Sequence, residues 1–437
     1  MHPNRTFLLA AVAFPLATGV GPTLAAGSVT ELVSVSTGGK QGNGLSTAPS
    51  VSGDGRLVVF DSQATNFVHP DTTGGFDDIF LRDRATGKTV LVSVSSAGVQ
   101  GFGQSADPLI SRNGRFVAFA SAAANLVPGD TNKRTDVFLR DLKVGKTARV
   151  SLGPGGIQPD DTSVLVAISA SARFVLFSSF ATNIGPGGGE GQLYVRDRKS
   201  GTTVLQPTNA DGRPLDQPVG EAAITPDGRY LVFDSDGSDV LPGGVAPIGG
   251  VFRLDRTTGT TEIASVGKGG KPSNSFSFGA SVSDDGNLVA FQSDATNLAP
   301  GGTGGHVQVY VRDLKAGKTA RISAAPSGAA GDSDSVAPLV SPDGRRVLFF
   351  SYAENLVPDL KVGPGRHLFL RDLATKATTA IDVTPSGTLG KGIVSTAATP
   401  SADGRTIAFS STASNLVAGD RNGQEDVFVR VLDGKGR

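Results

Sequence analysis

One segment recurs seven times along these 437 residues, which confines the chain to architectures where each unit buries its apolar face against its neighbours. The glycine of an Asp-Gly-Arg turn, or its equivalent, stands at Gly55, Gly114, Ala172, Gly228, Gly286, Gly344 and Gly404, a spacing of 56 to 60 residues. Five positions on comes Phe60, Phe119, Phe177, Phe233, Phe291, Phe349 or Phe409. Two further is always serine (Ser62, Ser121, Ser179, Ser235, Ser293, Ser351, Ser411). Four beyond that is Asn66, Asn125, Asn183, Asp239, Asn297, Asn355 or Asn415.

Each copy reads as four short strands. The first, Ala48–Ser52 in copy one, carries the small side chains that suit the narrow inner end of a tapering sheet. Asp54-Gly55 supplies the positive φ of a tight hairpin. The second strand, Arg56–Asp61, delivers the repeated phenylalanine to the space between sheets, where each ring contributes about 1.5–3 kcal/mol. Ser62–Asn66 is predicted to form one capped helical turn, with Ser as N-cap and Asn in the left-handed conformation that ends it. Asp78–Asp83 is the third strand, and Thr89–Ser95 the fourth after a turn at Thr86-Gly87-Lys88. The Arg-Asp pair ending the third strand (Arg82-Asp83, Arg140-Asp141) points to opposite faces and is expected to be structural, with the Asp bonding into the next turn.

Copy seven stops after its third strand, Asp426–Val431, while Thr30–Ser36 nearly duplicates the fourth strand Thr89–Ser95. The N-terminal strand is therefore expected to complete the last unit and close a ring, hiding the edges that a linear solenoid would expose. The expected fold is all-β: a propeller of seven four-stranded blades in one domain, residues 27–437. Residues 1–26 read as a secretory signal peptide. Arg5 precedes an apolar run, Phe7–Val20, too short and too Pro-interrupted to span a membrane, and small residues at Ala25 and Ala26 offer a cleavage site.

The unit A-P-x-x-S-x-D-G-R-x-V-x-F-x-S, followed by D-V-F-x-R-D and G-x-T, resembles the TolB-like β-propeller repeat, a relative of the WD repeats, over nearly the whole mature chain. The resemblance implies the propeller fold; among its members are periplasmic propellers that act through protein partners, propellers attached to peptidases and free-standing propellers, so it does not single out one function. No α/β-hydrolase segment follows the repeats, so a propeller-capped serine peptidase is not expected.

Composition narrows the functions. With 40 basic and 40 acidic residues and no run of one sign, binding to nucleic acid through phosphate neutralisation is not expected. The absence of cysteine excludes disulfides and thiolate chemistry. No H-E-x-x-H motif or G-x-S-x-G elbow occurs, and the histidines past the leader, His69, His306 and His367, lie in different copies. A periplasmic or secreted monomeric scaffold binding a protein or cell-envelope ligand is thus expected; the alternative is a glycan-active hydrolase or lyase with its site at the channel mouth.

The sharpest local motif lies between the second and third strands. Asp130, Asn132 and Asp136 in copy two, Asp420, Asn422 and Asp426 in copy seven, and Asp71 with Asp78 in copy one set oxygen side chains at spacings that suit calcium. The competing reading is turn chemistry, since Asp and Asn also bond their own backbone. Departures from the repeat (Tyr352, Glu354, His306 and the Lys268–Phe278 loop) are the remaining candidates.

Overall fold

A computed structural model describes residues 28–432 apart from 69–73, 187–188, 190, 244–248, 358–359 and 361–364. The expected signal peptide and Asp71 lie outside the described residues. The strands form seven separate four-stranded antiparallel sheets, each in simple sequence order except the one that closes the ring. Blade one is typical: inner strand Ser46–Val51, second strand Leu57–Ser62, third strand Asp78–Asp83 and outer strand Lys88–Leu91. Blade seven takes its inner three strands from Val394–Pro400, Thr406–Ser411 and Asp426–Val431, and its outer strand from Val29–Leu32, paired so that Val29 opposes Val431 and Leu32 opposes Phe428. The predicted closure is what the structure has. The outer strands are shorter than expected because the chain leaves the sheet at the next blade: Val94 N–H bonds Val92 O, and Gly101 N–H bonds Ser93 O.

All seven repeated phenylalanines are fully buried. Each stacks on an aromatic of the third strand in its own blade, with centroids 5.6 Å apart for Phe233–Phe252 and 6.1 Å for Phe60–Phe80. The repeated serine ties the two inner strands together, Ser46 Oγ and Ser62 Oγ lying 2.8 Å apart. In the Asp-Gly-Arg turn every glycine, and Ala172 in copy three, has positive φ as expected. These glycines also make room. A Cβ on Gly228 would sit 2.1 Å from the ring of Phe174, which packs between blades three and four under Arg173 and Arg256.

The Ser-x-Ala-x-Asn segment corrects the prediction of a helical turn. Among the described residues the only helical segments are the short 3-10 turns Pro154–Gly156 and Lys268–Gly270, the second within one of the segments singled out above. Ser62 Oγ accepts from Ala64 N–H at 3.0 Å, an open turn. Asn66 does not hold a left-handed conformation; its Nδ2 donates to Gln41 O and its Oδ1 accepts from Asn43 N–H, so it fastens the loop arriving from the preceding blade.

Antiparallel connectivity sorts the connections onto two sides. Turns after the first and third strands lie on one, the turn side; the longer connections after the second and fourth strands lie on the other, the loop side. The Arg-Asp pair works as expected. Arg82 Nη1 donates to the carbonyls of Ser36 and Gly87, while Asp83 accepts from Ala85 N–H and from Arg56 of the Asp-Gly-Arg turn. No helix among the described residues is long and apolar enough to cross a membrane.

Candidate functional site

The inner strands surround a central channel. Toward the turn side it is a cavity of about 300 Å³ lined by residues of every blade, among them Gly53, Arg112, Ala170, Pro226, Asp284, Pro342 and Ala402. Backbone bonds lace this end: Ala402 N–H to Gly53 O at 3.0 Å, Gly53 N–H to Arg112 O at 2.8 Å and Arg112 N–H to Ala170 O at 2.9 Å. Across it the guanidinium of Arg112, in blade two, holds the carboxylate of Asp284, in blade five.

Toward the loop side the wall changes character. Every inner strand has a register shift against the second strand, for instance between Ala106 and Leu109 and between Val219 and Ala222. Such bulges re-aim side chains. Here they require left-handed backbone at Ala48, Asp107, Gly279 and Ala337. The second strand of one blade caps the amides so exposed. Asp61 accepts from Asp107 N–H at 3.2 Å and Thr47 Oγ1 at 2.5 Å; Asp234 accepts from Glu221 N–H and Gly279 N–H, both at 3.1 Å; Gln292 Oε1 accepts from Ala337 N–H. Gly220 leaves space for the Asp234 carboxylate, which a Cβ there would strike.

Two carboxylate pairs result, Asp61 with Asp107 and Asp234 with Glu221. Burial pushes Asp61 up to about 6, against its bond from Thr47 and helped by repulsion from Asp107. Burial also pushes Asp234 up to about 6, helped by Glu221 and Asp236. Asp107 and Glu221 are raised for the same reason, although solvent reaches both. Each of these carboxylates reaches solvent while the protein around it limits its hydration, which disfavours the charged form. Solvent-exposed aromatics lie on the loop side as well: Phe276 and Phe278 in the leading loop and inner strand of blade five, and Phe180 and Tyr352 directly after the second strands of blades three and six. Carboxylates and aromatic faces exposed on one side favour a cationic ligand group.

In blades two and seven the residues put forward for calcium are brought together at the starts of the third strands; in blade one only Asp78 lies among the described residues. In blade two, Asp136 is fully buried and accepts from Ser151 Oγ at 2.7 Å, Asn132 Nδ2 at 3.0 Å and Arg149 Nη1 at 3.2 Å. Arg149 also lies 3.3 Å from Asp130, whose carboxyl is raised by burial and by Asp136. A guanidinium therefore stands between the two carboxylates. In blade seven Gln41 Nε2 donates to Asp420 and Asp426, both at 2.8 Å, and Asn422 turns its Nδ2 to Gly42 O. In blade one Gln100 Nε2 donates to Asp78 at 2.7 Å. Asn132 and Asn422 spend Oδ1 on the backbone N–H of Arg134 and Gln424, which is turn chemistry. Among the described residues no group of three or more His, Asp or Glu is placed to hold a metal ion.

The same column holds a histidine in blade six. His367 Nδ1 lies 2.6 Å from Asp382 Oδ2, both buried, and burial raises Asp382 despite this partner. His306 lies 3.5 Å from Asp334 on the loop side. The channel carboxylates escaped sequence reasoning, although the signal was there. Where Asp61 and Asp234 stand, other copies have Ala120, Ser178, Phe350 and Ser410.

No protein-family profile and no curated protein sequence matches the chain. Solved structures match in fold. Oligogalacturonate lyase in complex with manganese superposes with a TM-score of 0.54 at 11% identity, over 94% of this chain and 99% of that one. The β-propeller domain of the Trilobed protease from Pyrococcus furiosus, which has an open velcro topology, gives 0.52 at 12% identity, over 90% and 94%. TolB from Acinetobacter baumannii gives 0.42 at 16% identity over 75% of this chain, which spans 63% of that protein. At such identities the likeness is one of architecture: the chain is a seven-bladed β-propeller with structural matches among TolB, lyase and protease propellers.

Proposed function

We propose that the chain is an exported, non-catalytic binding propeller whose loop-side channel mouth receives a positively charged segment of a partner protein or cell-envelope ligand. One observation carries this reading: Asp107 and Glu221 face solvent from the inner strands, backed by the carboxyls of Asp61 and Asp234, which burial raises to about 6. The described histidines stand elsewhere, paired to Asp334 and Asp382, and the far end of the channel is bridged by Arg112 and Asp284. A cation arriving at the mouth lowers these raised carboxyl pKa values, so binding is coupled to proton release near pH 6.

Titration calorimetry with an oligolysine peptide tests the reading. The expected result is binding that releases protons at pH 6 and weakens at least about tenfold in Asp107→Asn/Glu221→Gln, the loss of about 1.4 kcal/mol. Unchanged affinity in that variant would overturn it. Mass spectrometry of secreted or periplasmic material checks export, with a mature N-terminus expected after Ala25 or Ala26.

A further inference from the structure

The chain has no net charge, yet the fold sorts its charges. Among the described residues, the turn side (turns and adjoining strand halves) carries 25 Lys and Arg against 14 Asp and Glu. The loop side carries 11 against 22. The acidic groups on the turn side are largely committed: Asp83, Asp141, Asp197 and Asp255 each pair with the Asp-Gly-Arg arginine of their own blade. The lysines are not. Among the described residues no lysine joins an ion pair.

We propose that the turn side docks on an anionic phospholipid surface, leaving the loop-side mouth facing away from it. Lys88 belongs to blade one, Lys143 and Lys146 to blade two, Lys199 to blade three, Lys315 and Lys318 to blade five and Lys376 to blade six; all are exposed. Cations spread around a disc can all meet a plane, whereas a linear polyanion crossing the disc reaches only some of them. Between Lys143 and Lys146, at the tip of its turn, Val144 is 64% exposed, an apolar side chain placed to enter a headgroup layer. The acidic loop side is repelled by the same surface, so the charge sorting selects one orientation. Each lysine near an anionic bilayer raises partitioning by about fivefold, the equivalent of about 1 kcal/mol, and added salt screens it.

The test is co-sedimentation of the full chain with vesicles of phosphatidylcholine alone or containing about a third phosphatidylglycerol, the anionic content that gives such surfaces their potential. Binding is expected only to the anionic vesicles. It should fall by at least about a hundredfold in Lys143→Glu/Lys146→Glu/Lys315→Glu/Lys318→Glu and be retained in Lys133→Glu/Lys268→Glu/Lys271→Glu/Lys391→Glu. The second variant has the same net charge but its reversals lie on the loop side, and melting curves verify that both fold. Four results would overturn the proposal: equal binding to neutral vesicles; equal loss in both variants; binding to soluble heparin without vesicle binding; or salt-reversible self-association without lipid in sedimentation velocity, which would make a second copy the occupant. None of these outcomes depends on what the channel mouth binds.

Discussion

Arg112 of blade two reaches across the ring axis to Asp284 of blade five, with Nη2 2.7 Å from Oδ1. The pair is about one-third exposed on each side, so its electrostatic worth is small, about 0–1 kcal/mol. The steric provision for it is costlier to disturb. A Cβ on Gly53 would lie 2.2 Å from Arg112 Cγ and 2.9 Å from Arg112 O. Gly53→Ala is therefore expected to destabilise by about 1–3 kcal/mol in urea unfolding, more than Arg112→Ala. The double variant should recover only part of the loss, because the contact with the backbone oxygen persists. Full recovery would show that only the side chain matters.

The ring is closed by more than strand pairing. Ser34 and Gln41, which follow the N-terminal strand, donate to the buried Asp426, and Gln41 also reaches Asp420. Burial raises the Asp426 carboxyl and these donors hold it down. Gln41→Leu removes two charge-assisted bonds and is expected to cost about 2–3 kcal/mol. The loss should appear as early exchange of amides in Asp426–Val431, measured by hydrogen exchange. Uniform weakening of all seven blades would contradict a local closure.

Much of this frame could be read from the repeats, because the determinants are local. Gly55 must take positive φ, Phe60 must be buried, and Thr30–Ser36 copies an outer strand whose place in blade seven is vacant. What escaped reading depends on neighbours far apart in the chain. Asn66 looks like a helix end until Gln41 and Asn43 arrive from the previous blade. Asp107 and Asp61 meet only because an inner-strand bulge turns an amide toward the preceding blade. The balanced total charge likewise concealed the division between sides, which needs the up-and-down order of the strands before Lys143 and Glu221 can be assigned to opposite ends.

Arg149 decides how the Asp130–Asp136 loop responds to calcium. With its guanidinium near both carboxylates, millimolar calcium is expected to leave the melting midpoint of the protein unchanged, and so is a chelator. Arg149→Met should instead lower stability by about 3 kcal/mol, since it leaves the fully buried Asp136 and its neighbour without a cation. If calcium restores the midpoint of that variant, the loop is a competent oxygen cage in which arginine has taken the place of the ion. If it does not, the Asp and Asn spacing serves the turn alone.

Asp61 gives the fold a pH dependence whose sign can be stated. Its carboxyl sits at about 6 in the folded protein against an ordinary 3.8, so the folded state binds the proton more tightly. The stability this provides is present at low pH and is lost as pH rises from about 4 through 6. A shift of about two units corresponds to about 2–3 kcal/mol of lost stability at neutral pH, and Asp234, raised to about 6 by burial, adds in the same direction. Asp61→Asn keeps both contacts, because the amide oxygen can accept from Asp107 N–H while Nδ2 donates to Thr47 Oγ1. Denaturant unfolding of both proteins at pH 4.5 and pH 7.5 measures the effect. The variant is expected to gain about 1–3 kcal/mol on the wild type between the two pH values. A constant difference would mean that Asp61 titrates in the ordinary carboxylate range, and that the channel wall is wetter than its burial implies.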